Sequence, residues 1–213
     1  MRKSSKPFKY LPMDLARVSC AVLPLVLKFK KLYLREDSIG KKIKGGALIV
    51  ANHTGYLDPV LVGTAFWYRR MFFLAAKEVM KSKLREFLLK NAGCIKIDRD
   101  ISDIGAVRKC IEVLKEGKCL CIFPQGEIKR DGEIEEIKSG AVLMAFKANV
   151  PIVPVYFSER KSLFSKSSVV VGEEINCREF CSKKIPTVTE MNEISKKIQN
   201  AMLECKEYYE KSK

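Results

Sequence analysis

An apolar run, Ala47-Leu48-Ile49-Val50-Ala51, gives way to Asn52-His53-Thr54-Gly55-Tyr56-Leu57-Asp58-Pro59. His53 is the chain's single histidine, and a carboxylate follows it five residues later. An imidazole that donates one N–H to a carboxylate keeps the other nitrogen as a proton acceptor, so such a pair can work as an oriented general base. On one continuous helix the two side chains would point about 140° apart. They meet only where a turn folds the segment back, and Gly55 permits one. The same residues also read as punctuation: Asp58 ahead of Pro59 fits an N-cap followed by Pro at the first helical position, with His53 ending a strand.

Two further stretches carry groups suited to a phosphorylated or hydroxylated ligand. Ile95-Lys96-Ile97 runs into Asp98-Arg99-Asp100. The guanidinium of Arg99 has the fork geometry that grips phosphate, and Lys96 on the same strand is a second candidate. An ion pair of Arg99 with Asp98 or Asp100 is the competing reading. Further on, Phe123-Pro124-Gln125-Gly126-Glu127-Ile128-Lys129-Arg130 offers an amide at Gln125, close backbone approach at Gly126, and positive charge at Lys129 and Arg130.

These groups need a scaffold, and the pattern of the chain supplies one. Short apolar runs at 47–51, 71–76, 94–97, 119–123, 152–157 and 168–171 alternate with helical patterns near 59–68, 83–91, 102–116, 139–148 and 188–210. That alternation predicts an α/β fold, a mixed, mostly parallel sheet flanked by helices, with active groups at strand ends. A chain of 213 residues that is 47% apolar can bury an ordinary core as one domain.

The formal charge is +15, and residues 1–35 hold nine basic side chains against Asp14 alone. Within that segment Val18 to Leu27 is apolar, interrupted by Ser19 and Pro24 and bordered by Arg17 and Lys28. It is too short to cross a bilayer and lacks a signal-peptide cleavage site. Basic residues and aromatics around an apolar middle suit an anionic membrane surface, so residues 1–35 are assigned as a helical interfacial segment ahead of a domain at 36–213. An N-terminal helix packed on the domain is the alternative. No zinc finger or basic-aromatic strand motif is present, which argues against a nucleic-acid partner.

The eight cysteines, Cys20, Cys94, Cys110, Cys119, Cys121, Cys177, Cys181 and Cys205, show no metal-ligand spacing. They read as small buried residues or free thiols of a reducing compartment, and no metal is expected.

Four blocks, in order, resemble the glycerolipid acyltransferases. Asn52-His53-(x)4-Asp58 is similar to that family's first motif, Ile95 to Asp100 to its second, Phe123-Pro124-Gln125-Gly126 to its third, and Val150-Pro151-Ile152-Val153-Pro154-Val155 to its fourth. Lys138-Ser139-Gly140-Ala141 resembles the family's segment between the last two, so the likeness covers residues 45–160. It implies transfer of a fatty acyl group from acyl-CoA or acyl-carrier protein to the free hydroxyl of 1-acylglycerol-3-phosphate, with no bound cofactor. In that scheme His53 takes the hydroxyl proton and Asp58 orients its ring. Arg99, Lys96, Gln125, Gly126, Lys129 and Arg130 meet the substrate. The expected location is peripheral or monotopic, on the cytoplasmic face of a membrane. The third block departs from the family's usual Phe-Pro-Glu-Gly-Thr-Arg by Gln125 and Ile128, and the first carries Gly55 where serine is common. Another lysolipid or polar acceptor, or a silent lipid-binding homologue, therefore stand as alternatives.

Overall fold

The computed structural model describes residues 10–15, 18–19, 29–101, 103–124, 126, 128, 134, 136–158, 166–181 and 185–213. Seven strands form one sheet: β1 (Phe29–Tyr33), β2 (Ala47–Ala51), β3 (Met71–Ala76), β4 (Cys94–Ile97), β5 (Cys119–Ile122), β6 (Ile152–Phe157) and β7 (Ser167–Val171). Their spatial order is β1-β7-β6-β2-β5-β3-β4. Only the β6–β7 pair is antiparallel, so the sheet is mixed and mostly parallel, as expected. The helices are α1 (Asp58–Ala65), α2 (Lys83–Asn91), α3 (Ile104–Lys115), α4 (Ser139–Ala148) and α5 (Val188–Lys211).

Strands β2, β5 and β6 are buried along their whole length. That is why they appear in the sequence as unbroken apolar runs, because a central parallel strand is covered on both faces. Alternate side chains serve the two layers. Leu48, Val50, Leu120 and Ile122 pack with α3, α4 and α5. Ala47, Ile49, Ala51, Cys119 and Cys121 pack instead with Leu61, Val62 and Ala65 of α1. The loops that follow β2, β4 and β5 leave from the same edge of the parallel part of the sheet, where such folds hold their ligands.

Residues 29–33, counted above with the N-terminal interfacial segment, are strand β1 at the sheet edge, paired with β7 from Phe29↔Ser167 to Tyr33↔Val171. Their lysines suit an edge, which charge protects from pairing with other chains. Residues 10–15 pack on the domain. Met13 joins the core. Arg70 donates two hydrogen bonds to the Asp14 carboxylate at 2.8 and 2.7 Å, and the Tyr10 ring meets Phe72 edge-on with centroids 6.1 Å apart. Residues 1–9, 16–17 and 20–28 lie outside the described residues, and with them most of the basic segment. Among the described residues, no helix is long and apolar enough to cross a membrane.

Candidate active site

The β2–β6 ladder ends at Ala51↔Val155. One residue later the Asn52 side chain takes over its role. Nδ2 donates to the Phe157 carbonyl at 2.9 Å, and Oδ1 accepts the Phe157 N–H at 2.7 Å. A primary amide presents the same donor and acceptor as a peptide group, so Asn52 pairs like one more rung while its own backbone turns away. Its side chain is 1% exposed. This substitution of side chain for backbone lets His53 leave the sheet at a defined point.

The turn that follows is organised by Asp58. Its Oδ2 accepts from the backbone N–H of Thr54 at 2.6 Å and of Gly55 at 2.9 Å, and Oδ1 accepts from the Thr54 hydroxyl at 3.2 Å. His53 Nδ1 lies 2.7 Å from the same Oδ2. An oxygen that already accepts two backbone N–H groups is an acceptor here, so Nδ1 carries the hydrogen and Nε2 holds the ring's lone pair. The expectation that Asp58 caps the helix is corrected. It is the first residue of α1, Leu57 occupies the cap position without a side-chain hydrogen bond, and Pro59 follows inside the first turn. The carboxylate faces backward to the turn and the imidazole, and it is 2% exposed. The Phe123 ring stacks on His53 with centroids 4.4 Å apart and planes 20° apart, which limits rotation of the imidazole.

Arg99 stands in the turn after β4. Its neighbours do not hold it: Lys77 pairs with Asp98 at 2.7 Å and with Asp100 at 2.6 Å, which removes the internal ion pair weighed above. The Lys77 ammonium keeps the Asp98 carboxyl below its ordinary range. Asp103 accepts the Asp98 N–H at 3.1 Å and caps α3 through Ala106 N–H at 2.9 Å, so both ends of the turn are tied. The Arg99 guanidinium donates to the carbonyl of Gly126. Gly126 has φ +71°, and a Cβ there would lie 2.9 Å from Arg99 Nη1. The glycine admits the arginine, where the sequence suggested close approach of a ligand.

His53, Arg99, Phe123 and Gly126 line one end of a cavity of about 870 Å³. Its remaining wall is largely apolar, with Met71, Phe73 and Leu74 from β3, Val60 from α1 and Leu89 from α2. The arrangement joins an oriented base and a cation to a space suited to a hydrocarbon chain.

A family model described as acyltransferase matches residues 30–158. The chain belongs to the acyltransferase family. It is similar to the 1-acyl-sn-glycerol-3-phosphate acyltransferase of Bacillus subtilis (strain 168), 28% identical over 167 residues, which cover 74% of this chain and 83% of that protein. A probable 1-acyl-sn-glycerol-3-phosphate acyltransferase of Mycoplasma pneumoniae is 32% identical over 152 residues, 62% of this chain and 56% of that longer protein. The crystal structure of the 1-acyl-sn-glycerophosphate acyltransferase of Thermotoga maritima shares the fold, with a TM-score of 0.67 at 20% identity, over 98% of this chain and 84% of that one.

Of the residues proposed for this acyltransferase site, the fold brings His53, Asp58, Arg99 and Gly126 together. Lys96 pairs with Glu86 of α2 at 3.5 Å and is not among the residues of the cavity wall. Gln125, Lys129 and Arg130 lie outside the described residues. Asn52 and Phe123 were quoted in their motifs without a role. An amide just after a buried strand is the signal for the first, and an aromatic just after the neighbouring strand for the second. Burial raises the thiol of Cys94 to about 11 and that of Cys110 to about 12, so both of these side chains in the acyltransferase keep their protons. Cys121, buried near Asp58, is pushed well above its ordinary value. Among the described residues no cluster of side chains could hold a metal ion.

Proposed function

We propose that the enzyme moves a fatty acyl group from a thioester, acyl-CoA or acyl-carrier protein, to the free hydroxyl of 1-acylglycerol-3-phosphate, forming phosphatidic acid. The observation that carries this reading is the His53–Asp58 pair, 2.7 Å apart, at the Arg99 end of a largely apolar cavity. His53 Nε2 takes the proton as the acceptor oxygen attacks the thioester carbonyl. Asp58 holds the tautomer and stabilises the imidazolium. The C–S bond of the tetrahedral intermediate then breaks, and the leaving thiolate takes the proton from His53. Attack is direct, so no nucleophile of the protein is consumed. The guanidinium of Arg99 meets the acceptor's phosphate while the cavity takes up acyl chain. The names of the relatives, all of one acceptor type, support the choice of acceptor.

The test is acyl transfer by the purified full chain, with lysophosphatidic acid set against other lysolipids and products identified by mass spectrometry. Transfer lost in His53→Ala, together with a selective rise in acceptor KM in Arg99→Ala, supports the reading. Turnover by folded His53→Ala refutes the mechanism. A preference for an uncharged acceptor refutes the role of Arg99.

A further inference from the structure

Helix α2 is amphipathic in an unusual direction. None of its residues is buried, and its largest apolar side chains face water, with Leu84 at 68% exposure, Phe87 at 64% and Leu88 at 56%. On a helical wheel these three fall within about 100° of arc. Glu86 and Leu89 lie on the opposite side, where Glu86 meets Lys96 of β4 and Leu89 lines the cavity. The apolar stripe therefore points away from the protein. Lys83 and Arg85 stand on its two flanks, and both are exposed, as is Lys81 just before the helix. Val79, in the turn leading to α2, is 52% exposed and also lines the cavity, so the cavity reaches the segment that leads into α2.

We propose that α2 is a membrane-docking surface whose Leu84, Phe87 and Leu88 enter the interface of a bilayer containing anionic phospholipid, independently of the N-terminal segment. An apolar stripe between cations is the arrangement that interfacial helices use, and a patch of this kind on an otherwise charged surface marks an interaction site. Charge decides between occupants. A second copy of this chain would carry the same +15 and set Lys83 and Arg85 against their own kind, whereas anionic headgroups complement them. With α2 seated, the cavity beside Val79 opens toward the lipid phase. The inference rests on the lysolipid reading only for what the cavity admits there.

The experiment is co-sedimentation of the full chain with phosphatidylcholine vesicles, with and without phosphatidylglycerol. Leu84→Ser, Phe87→Ser and Leu88→Ser are combined in one variant. These side chains already face water, so its thermal midpoint should match wild type. Vesicle binding should weaken at least about tenfold, the equivalent of keeping one such side chain in water. Acyl transfer to an acceptor dispersed below its micellar concentration should be unchanged. Lys81→Glu, Lys83→Glu and Arg85→Glu together should weaken binding to the anionic vesicles alone. Wild-type binding by the triple serine variant would overturn the proposal, as would light scattering that shows a dimer lost in that variant with vesicle binding intact. Failure of acyl transfer in wild type, with vesicle binding still lost in the variant, would refute the functional reading and support the surface.

Discussion

Replacing Asn52 with alanine separates the scaffold of the site from its chemistry. The substitution removes one donor and one acceptor, leaving the Phe157 N–H and C=O facing the space that the amide filled. Each buried backbone group left without a partner costs about 1–3 kcal/mol, so the expected loss of stability is about 2–4 kcal/mol once water enters part of the space. For a chain of 213 residues that corresponds to about 5–15 °C in Tm. The isosteric Asn52→Asp sharpens the test. Its carboxyl can satisfy both Phe157 groups only when protonated, so burial and the facing carbonyl raise its folded pKa above the unfolded value of about 3.9. A group with a raised folded pKa contributes stability that is present at low pH and lost as pH rises through that folded pKa. Relative to wild type, Asn52→Asp should therefore fare best below about pH 4 and lose ground as pH rises from there toward its folded pKa. Urea unfolding followed by circular dichroism at several pH values measures this directly, with kcat and KM taken on the same preparations. His53 is the next residue, so kcat should fall with little change in KM. Midpoints of both variants within experimental error of wild type, at every pH, would refute the account of Asn52 as an extra rung.

Asp58→Asn should lower kcat by about 10³–10⁴-fold, because an amide in that place stabilises the wrong imidazole tautomer; steady-state kinetics with folded protein reads this out. Gly126→Ala must place a methyl group at φ +71° and 2.9 Å from Arg99 Nη1, so acceptor KM should rise while donor KM stays constant. Lys31 donates to the Ala65 carbonyl at 2.8 Å within a ring of Tyr33, Phe66 and Tyr68. Burial lowers it from 10.5 to about 8. The unfolded chain then binds the extra proton between those values, so this group makes stability rise from pH 8 to 10.5. Lys31→Met should lose that rise relative to wild type in denaturant titrations at the two ends of the window.

Strands β2 and β6, buried along their whole length, were legible because their apolar runs have no polar interruption, and β3 and β4 also lie where their runs place them, although Lys96 interrupts β4. Strand β1 was not, since Phe29-Lys30-Lys31-Leu32-Tyr33 sits at an edge, where charge is a defence against pairing and imitates an interfacial pattern. The antiparallel β6–β7 pair has a physical signal in the connection 158–166, shorter than the dozen or more residues a parallel crossover needs. At the site, residue type and spacing left the pairing of His53 with Asp58 open beside a punctuation reading, and the motif resemblance favoured the pairing. The service Asp58 gives to its own turn could not be read there, because hydrogen bonds to the N–H groups of Thr54 and Gly55 depend on the fold-back itself. That Arg99 escapes Asp98 and Asp100 was not legible in its own stretch, where an ion pair with them stood as the competing reading. What frees it is Lys77, on a segment more than twenty residues earlier in the chain.

Several hydrogen bonds tie residues 52–58 to one another and to β6. Asn52 pairs with Phe157, while Thr54, Gly55 and His53 all pair with Asp58, and none of these bonds reaches the 123–130 stretch. The Asp58 carboxylate is thus held from within its own turn, while Phe123, at the start of that stretch, adds a ring contact to the imidazole. On the proposed reaction, Gln125 and Ile128, in place of the family's usual glutamate and arginine, are expected to change acceptor choice and to leave the hydrogen bonds of Asp58 in place. Variants that redirect acceptor choice should accordingly be sought at 125–130.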